Sequence, residues 1–375
     1  MKLSIPKNEL QRGLARIQSI VEKRNTMPIL ANVHLEALKG KDGGRLEIAA
    51  TDLEVGVRSS QPADVKKAGS VTASAKKLYE IVRELPEEPV KIEVSSDAYL
   101  SIKCARAHFT LAGNSAEEYP TLPTAAPGSM VSVQAIVLSQ MIERTIYAAS
   151  TDETRYNLNG VFIEKLEDTG KLRMVATDGH RLAYVDRAFG ENLAGLENGV
   201  IIPRKGLVEL KRLVDEEDAD EIEIGFEGNN GLVRREGITL VMRLIEGEFP
   251  NYRQVIPREI KYHLLISTEV LIHALRRVVL LSSERSRAIK FELTAGLLKL
   301  SSNNPDLGEA QEEIDIDYAG DDLNIAFNGR YLMDSLSVIR SKEVRLSFQD
   351  QLSPTQIVPA DDQEDSLAIV MPMRI

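Results

Sequence analysis

The side chains best equipped for acid–base chemistry in this chain stand together at one point, Asp178-Gly179-His180-Arg181. A carboxylate, an imidazole and a guanidinium in a row could move a proton beside a placed nucleophile. No serine or cysteine accompanies them in such a pattern, and a lone histidine is more often structural. The five histidines, at positions 34, 108, 180, 263 and 273, show no metal-ligand spacing, and Cys104 is the single cysteine. Neither a Walker-type glycine loop nor a GxGxxG after a strand is present. The sequence therefore reads as having no catalytic residue, no metal and no cofactor. Its chemistry is that of contact: bases that recur on helix faces, which attract phosphate, and a terminal Met371-Pro372-Met373, whose soft, flexible methionines suit an adaptable apolar surface.

These features are positioned by a threefold repeat. Thr51-Asp52-Leu53 follows the apolar run Leu46 to Ala50, Thr177-Asp178-Gly179 follows Leu172 to Ala176, and Asn303-Asn304-Pro305 follows Leu297 to Ser301, so that both intervals are 126 residues. Helical patterns opening at Ser74, Pro203 and Phe327 recur at similar intervals, 129 and 124 residues, and Glu118-Tyr119-Pro120 is echoed by Glu248-Phe249-Pro250. A unit of that length is domain-sized and far too long for a solenoid repeat. The expected organisation is three similar domains, at 1–125, 126–254 and 255–375. Each runs strand, helix, strands, then the same again.

The first helices carry an apolar stripe at the helical period: Leu10, Leu14, Ile17 and Val21; Leu138, Ile142, Thr145 and Ala149; Leu271, Leu275 and Val278. Expected to face outward are Arg12, Arg16, Ser19 and Lys23 in copy one, Gln140, Arg144 and Tyr147 in copy two, and His273 and Arg277 in copy three. The second helices present Lys76, Lys77 and Arg83, then Lys205, Lys211 and Arg212, then Arg330, Arg340 and Lys342. Any one basic stripe reads as a solvated face, but six in equivalent places imply a shared surface less acidic than the remainder. The formal net charge of −11 argues against a nucleic-acid partner only if that pattern is averaged away. Segments such as Lys91 to Ser95 alternate as strands of antiparallel sheets with one covered face do. The fold class is α+β. With 43% hydrophobic and 27% charged residues the composition is that of an ordinary globular protein, which excludes disorder. The start lacks a signal-peptide pattern and no apolar run is long enough to span a bilayer, so the expected location is cytoplasmic and not in a membrane.

The strings MPILANV from Met27, TDLE from Thr51, RYNLNG from Arg155, VATDGHRLA from Val175, PRKG from Pro203, EFPNYR from Glu248, NNP from Asn303 and the terminal VMPMRI closely resemble the bacterial sliding clamp, the beta subunit of DNA polymerase III. The resemblance runs from end to end. It implies three tandem copies of the DNA-clamp fold per chain and a homodimer closed head to tail into a ring, with helices lining the hole and sheets outside. It also implies a processivity role, with sequence-independent binding of double-stranded DNA. Partners would be the replicative DNA polymerase, the clamp loader, other polymerases and repair proteins, docking through short linear motifs. About twelve helices of roughly 10 Å diameter would enclose a hole of roughly 28 Å, which passes a B-form duplex with room for water. Two-domain ring clamps trimerise; three repeats favour two chains.

The resemblance also implies sites. The partner groove carries over to Leu158, Thr177, Gly179, His180, Arg181, Leu182, Pro250, Val255, Ile369, Met371, Pro372 and Met373, with Asn328, Tyr331, Leu352 and Arg374 nearby. The DNA-facing residues are Arg24, on a loop before an expected strand at Met27 to Leu30, then Arg155, Tyr156 and Arg204, with Lys205 and Lys211. The dimer contact joins Leu280 and Leu281, with Glu309 and Glu312, to Lys77, Ile81, Arg106 and Leu111. Here His108 stands where a second base is usual, and Gly308 and Gln311 thin the acidic run, so a weaker electrostatic pairing is expected.

Overall fold

The computed structural model describes residues 1–21, 27–40, 43–124, 130–189, 194–216, 220–361 and 365–374. Among them are six α-helices, two per copy: α1 (Lys7–Ile17), α2 (Ala75–Glu84), α3 (Ala135–Glu143), α4 (Arg204–Val214), α5 (Thr268–Val278) and α6 (Gly329–Ser337). Each follows a short strand, Lys2–Ile5 with Pro6 between before α1 and Leu323–Asn328 directly before α6, for example. The strand-to-helix corner is held by a side-chain cap in three of them. Ser74 accepts from the Lys77 N–H, Ser267 from Val270, and Asn328 from Arg330 and Tyr331. Such a cap satisfies a backbone donor that the first helical turn leaves without a partner.

The chain divides into two compact units, and the division runs through copy two. One unit is built mainly from Met1–Ala135 and Lys205–Leu244, the other mainly from Ile136–Glu191 and Ile245–Ile375. In the first, a 13-stranded sheet is continuous across the copies, because Ile238–Arg243 of copy two pairs with Val55–Lys67 of copy one, Met242 opposite Val55. In the second, an 8-stranded sheet is continued in the same way by Arg181–Arg187 and Ser366–Val370, Arg181 opposite Val370. A separate 4-stranded sheet completes copy three. All the ladders are antiparallel, and the buried stripes of α1 and α5 pack on them: Leu10, Leu14 and Ile17 are fully buried, as are Leu271 and Leu275.

Several sequence expectations need correction. Pro28–Ala31 forms a 3-10 turn, and the strand opens only at Asn32, consistent with a proline at the first helical position. α1 ends at Ile17, so Val21 lies beyond it, and Lys23 falls outside the described residues. Arg144 does not turn outward: it is buried and donates to the Ser366 hydroxyl at 3.3 Å. The Tyr147 ring is half-buried, with burial pushing its hydroxyl pKa up to about 12. Arg340 and Lys342 lie past the end of α6. The basic faces are also partly neutralised by carboxylates one turn away, Arg12 by Glu9 (2.7 Å), Lys77 by Glu80 (2.8 Å), Arg212 by Glu209 (2.8 Å) and Lys211 by Asp215 (2.6 Å).

Candidate functional site

The Thr-Asp turns are local hydrogen-bond machines. In copy two the Thr177 hydroxyl donates to the Arg181 carbonyl (2.7 Å) and accepts from the Gly179 N–H (3.1 Å), while one Asp178 oxygen accepts from the N–H groups of His180 (2.9 Å) and Arg181 (3.0 Å). Copy one repeats all four bonds with Thr51, Leu53, Glu54 and Val55 around Asp52. The turn demands a positive φ at its third residue, +88° at Gly179 and +78° at Leu53. Glycine meets that demand without strain; leucine does not. Copy three has Pro305 there, whose ring fixes φ near about −65°, so only the Asn304-to-Asp306 bond (3.0 Å) survives.

In copy two this turn anchors a hub. Arg181 donates from Nε to Asp178 (3.0 Å) and from Nη1 to Asp334 (2.6 Å), 153 positions away, and its guanidinium lies over the Tyr331 ring at 4.5 Å and near the Tyr147 ring at 5.5 Å. With a side chain only 11% exposed, Arg181 is a structural pivot. His180 is exposed and stacks on Tyr331, ring centroids 6.3 Å apart. Asp178, Asp334 and Tyr147 are the members that sequence reasoning did not place in the site.

The final strand brings the chain terminus to this hub. Leu182 pairs with Ile369, the Met371 N–H donates to the His180 carbonyl at 2.9 Å, and the Met373 N–H donates to the Ala326 carbonyl at 2.7 Å. Beside them Val175, Leu182, Tyr252 and Ile369 form a small buried cluster on which Phe249 and Val255 pack. Met371, Pro372 and Met373 stay half-buried. Asn328 caps α6; Leu158 ends a 3-10 turn; Pro250 and Arg374 are exposed, and Leu352 is 67% exposed on a turn bound by Asp350. Together these residues make an apolar strip bordered by the ion pairs of Arg181 with Asp178 and Asp334.

The chain matches, in order, the N-terminal domain of the DNA polymerase III beta subunit over residues 1–123, the central domain over 132–251 and the C-terminal domain over 253–374. This chain belongs to the beta sliding clamp family. It is 37% identical to the beta sliding clamp of Caulobacter vibrioides over 381 residues and 31% identical to that of Escherichia coli over 380, with 100% of both chains covered in each case. Among solved structures it resembles the Caulobacter crescentus beta sliding clamp (TM-score 0.93, 35% identity) and the Pseudomonas aeruginosa clamp bound to griselimycin (TM-score 0.91, 35% identity), again over 100% of each chain. The fold of this clamp-family chain is three tandem clamp copies of α+β type.

The DNA-facing set divides. Arg24 lies outside the described residues. Arg155 and Tyr156 sit on the exposed 3-10 turn Glu153–Leu158; Arg155 Nη1 donates to the Asp178 carbonyl (3.3 Å), and Tyr156 is 61% exposed. Arg204 is exposed at the start of α4. Lys205 forms an ion pair with the buried Asp52 carboxylate, so its ammonium also serves the copy-one turn. At the expected dimer contact, the strands Ala107–Leu111 and Gly308–Asp315 each end a sheet, bonded on one side only among the described strands. Lys77, Arg106 and Glu309 are exposed, Ile81, Leu111 and Leu281 half-buried, and Leu280 is 73% exposed. Glu312 accepts two bonds from Arg277 of α5 (2.9 and 2.5 Å), and that guanidinium holds its carboxyl below the usual range. His108 meets the Ser101 hydroxyl at 3.1 Å.

Proposed function

We propose that two copies of this chain close head to tail into a ring around duplex DNA and serve as the processivity factor of the replicative polymerase. The observation that carries the reading is a pair of complementary open sheet edges. Ala107–Leu111 is flanked by Lys103 and Arg106, and Gly308–Asp315 carries Glu309, Glu312, Glu313 and Asp315. Pairing them would satisfy two rows of backbone donors and acceptors, bring opposite charges together and cover Leu280. The domains are taken as 1–125, 126–254 and 255–375. DNA is held by topology, with Arg24, Arg155, Tyr156, Arg204 and Lys205 giving sequence-independent phosphate contact.

The strip around Leu182, Ile369, Met371 and Met373, bordered by His180, Arg181 and Tyr331, receives short linear motifs of the polymerase, the clamp loader and repair proteins. The protein acts in the cytoplasm at the nucleoid, without cofactor, metal or catalytic step of its own. Solution mass tests the ring. A particle near 83 kDa, twice the 41.6 kDa chain, is expected at micromolar concentration, and a monomer there would overturn the reading.

A further inference from the structure

In the first unit an open cleft of about 430 Å³ lies between the end of α1, α4 and the strands that carry Val57, Ile238 and Leu240. Its floor is apolar, made by Ala15, Val57, Leu213, Ile238 and Leu240. Its rim is polar and internally paired: the Ser19 hydroxyl and Arg212 both donate to Glu209 at 2.8 Å, and Arg16 donates to Glu216 at 2.9 Å.

The repeat explains why the cavity exists. Laying Leu10, Leu14 and Ile17 over Leu138, Ile142 and Thr145, an offset of 128 residues, puts Arg16 on Arg144 and Ser19 on Tyr147. Laying Leu207 over Leu332, an offset of 125, puts Glu209 on Asp334, Leu210 on Ser335 and Leu213 on Val338. In the second unit the space between these equivalents, lined by Arg144, Tyr147, Ser335 and Val338, is reduced to about 10 Å³, and the Tyr147 ring lies near the Arg181 guanidinium that pairs with Asp334. In the first unit a serine takes the tyrosine's place, and about 430 Å³ remains between the same kinds of walls, more than enough for a ring.

We propose that the cleft between α1 and α4 is a binding site for a small hydroxylated aromatic ring, a phenol of the size of a tyrosine side chain. The ring would lie on Val57, Ile238 and Leu240, and its hydroxyl would donate to the Glu209 carboxylate or to the Ser19 oxygen, whose own proton goes to Glu209. The apolar floor supplies the affinity and the paired rim the orientation, as in small-molecule sites generally. Nothing in this site draws on the groove residues or on the sheet edges.

The test uses the full-length protein with 4-fluorophenol as probe, followed by fluorine NMR, and the methyl resonances of Val57, Leu213, Ile238 and Leu240 as reporters of place. Binding with shifts at those methyls is expected, with fluorobenzene weaker by about tenfold for want of the hydroxyl. Ser19→Tyr should fill the cleft from within, raise the melting temperature and abolish binding of the probe. Val57→Phe, which narrows the cleft from the sheet side, serves if the tyrosine variant does not fold. Absent binding, shifts confined to other methyls, or unchanged affinity in a folded Ser19→Tyr or Val57→Phe protein would overturn the site; equal affinity for fluorobenzene would overturn its chemical class.

Discussion

Replacing Leu280 and Leu281 with alanine should separate the two copies while leaving each one folded. Leu280 is 73% exposed and Leu281 half-buried in the 3-10 turn Val279–Leu281, which continues α5 past its buried stripe. Fully burying a leucine is worth about 1.5–3 kcal/mol, so covering the exposed part of this pair contributes roughly 2–3 kcal/mol at one contact. A closed dimer has two such contacts, and the double substitution therefore weakens dimerisation by about 4–6 kcal/mol, or three to four decades in Kd. Within one copy the loss is small, because side chains this exposed have few atoms to leave behind. Leu271→Ala is the contrast: Leu271 is fully buried in the same helix and its truncation should cost about 2–5 kcal/mol of folding stability. Sedimentation and thermal melting on the same samples read both effects. A dimer that persists at the parental concentration, or a melt lowered as far as that of Leu271→Ala, would refute the assignment of this turn to an interface.

Three further outcomes follow from the same arrangement. Deleting residues 371–375 removes the Met371 and Met373 backbone bonds, a loss of about 1 kcal/mol each, and should abolish binding of a peptide bearing a glutamine and two apolar residues while the dimer persists; the intact chain should bind it with a Kd of about 1 μM, read by fluorescence anisotropy. Protein assembled on closed circular DNA should withstand salt that strips ordinary basic binders and should leave when the circle is cut; equal loss from circular and linear DNA would count against encirclement. Burial raises the hydroxyls of Tyr119, Tyr147 and Tyr252 from 10.0 to about 12, so the folded state holds these protons longer than the unfolded one. Their contribution is complete below pH 10 and lost as the pH rises towards 12, and the melting temperature should fall across that window, less steeply in Tyr147→Phe.

What the sequence determined by itself is whatever rests on short-range chemistry. A threonine and an aspartate bonding to the backbone two to four residues ahead make the same turn wherever they occur, so the 126-residue repeat is legible in the order of residues alone, as are the stripes of α1 and α5. Full-length resemblance supplied the family for the same reason, since its strings sit at these turns and strand ends. What only the tertiary structure decided is which neighbour a side chain meets. Helical periodicity gives Arg144 and Tyr147 an angle around the axis, and it says nothing of the strand and helix that cover that angle and take them in. The Arg181 bond to Asp334 and the Lys205 pair with Asp52 join residues far apart in the chain, where pattern has no reach. The exchange of Tyr147 for Ser19 between two copies reads as a surface change in sequence. Only the meeting of α1, α4 and the strands of Val57 and Ile238 turns it into a cleft, because an empty volume belongs to no residue and is fixed by what surrounds it.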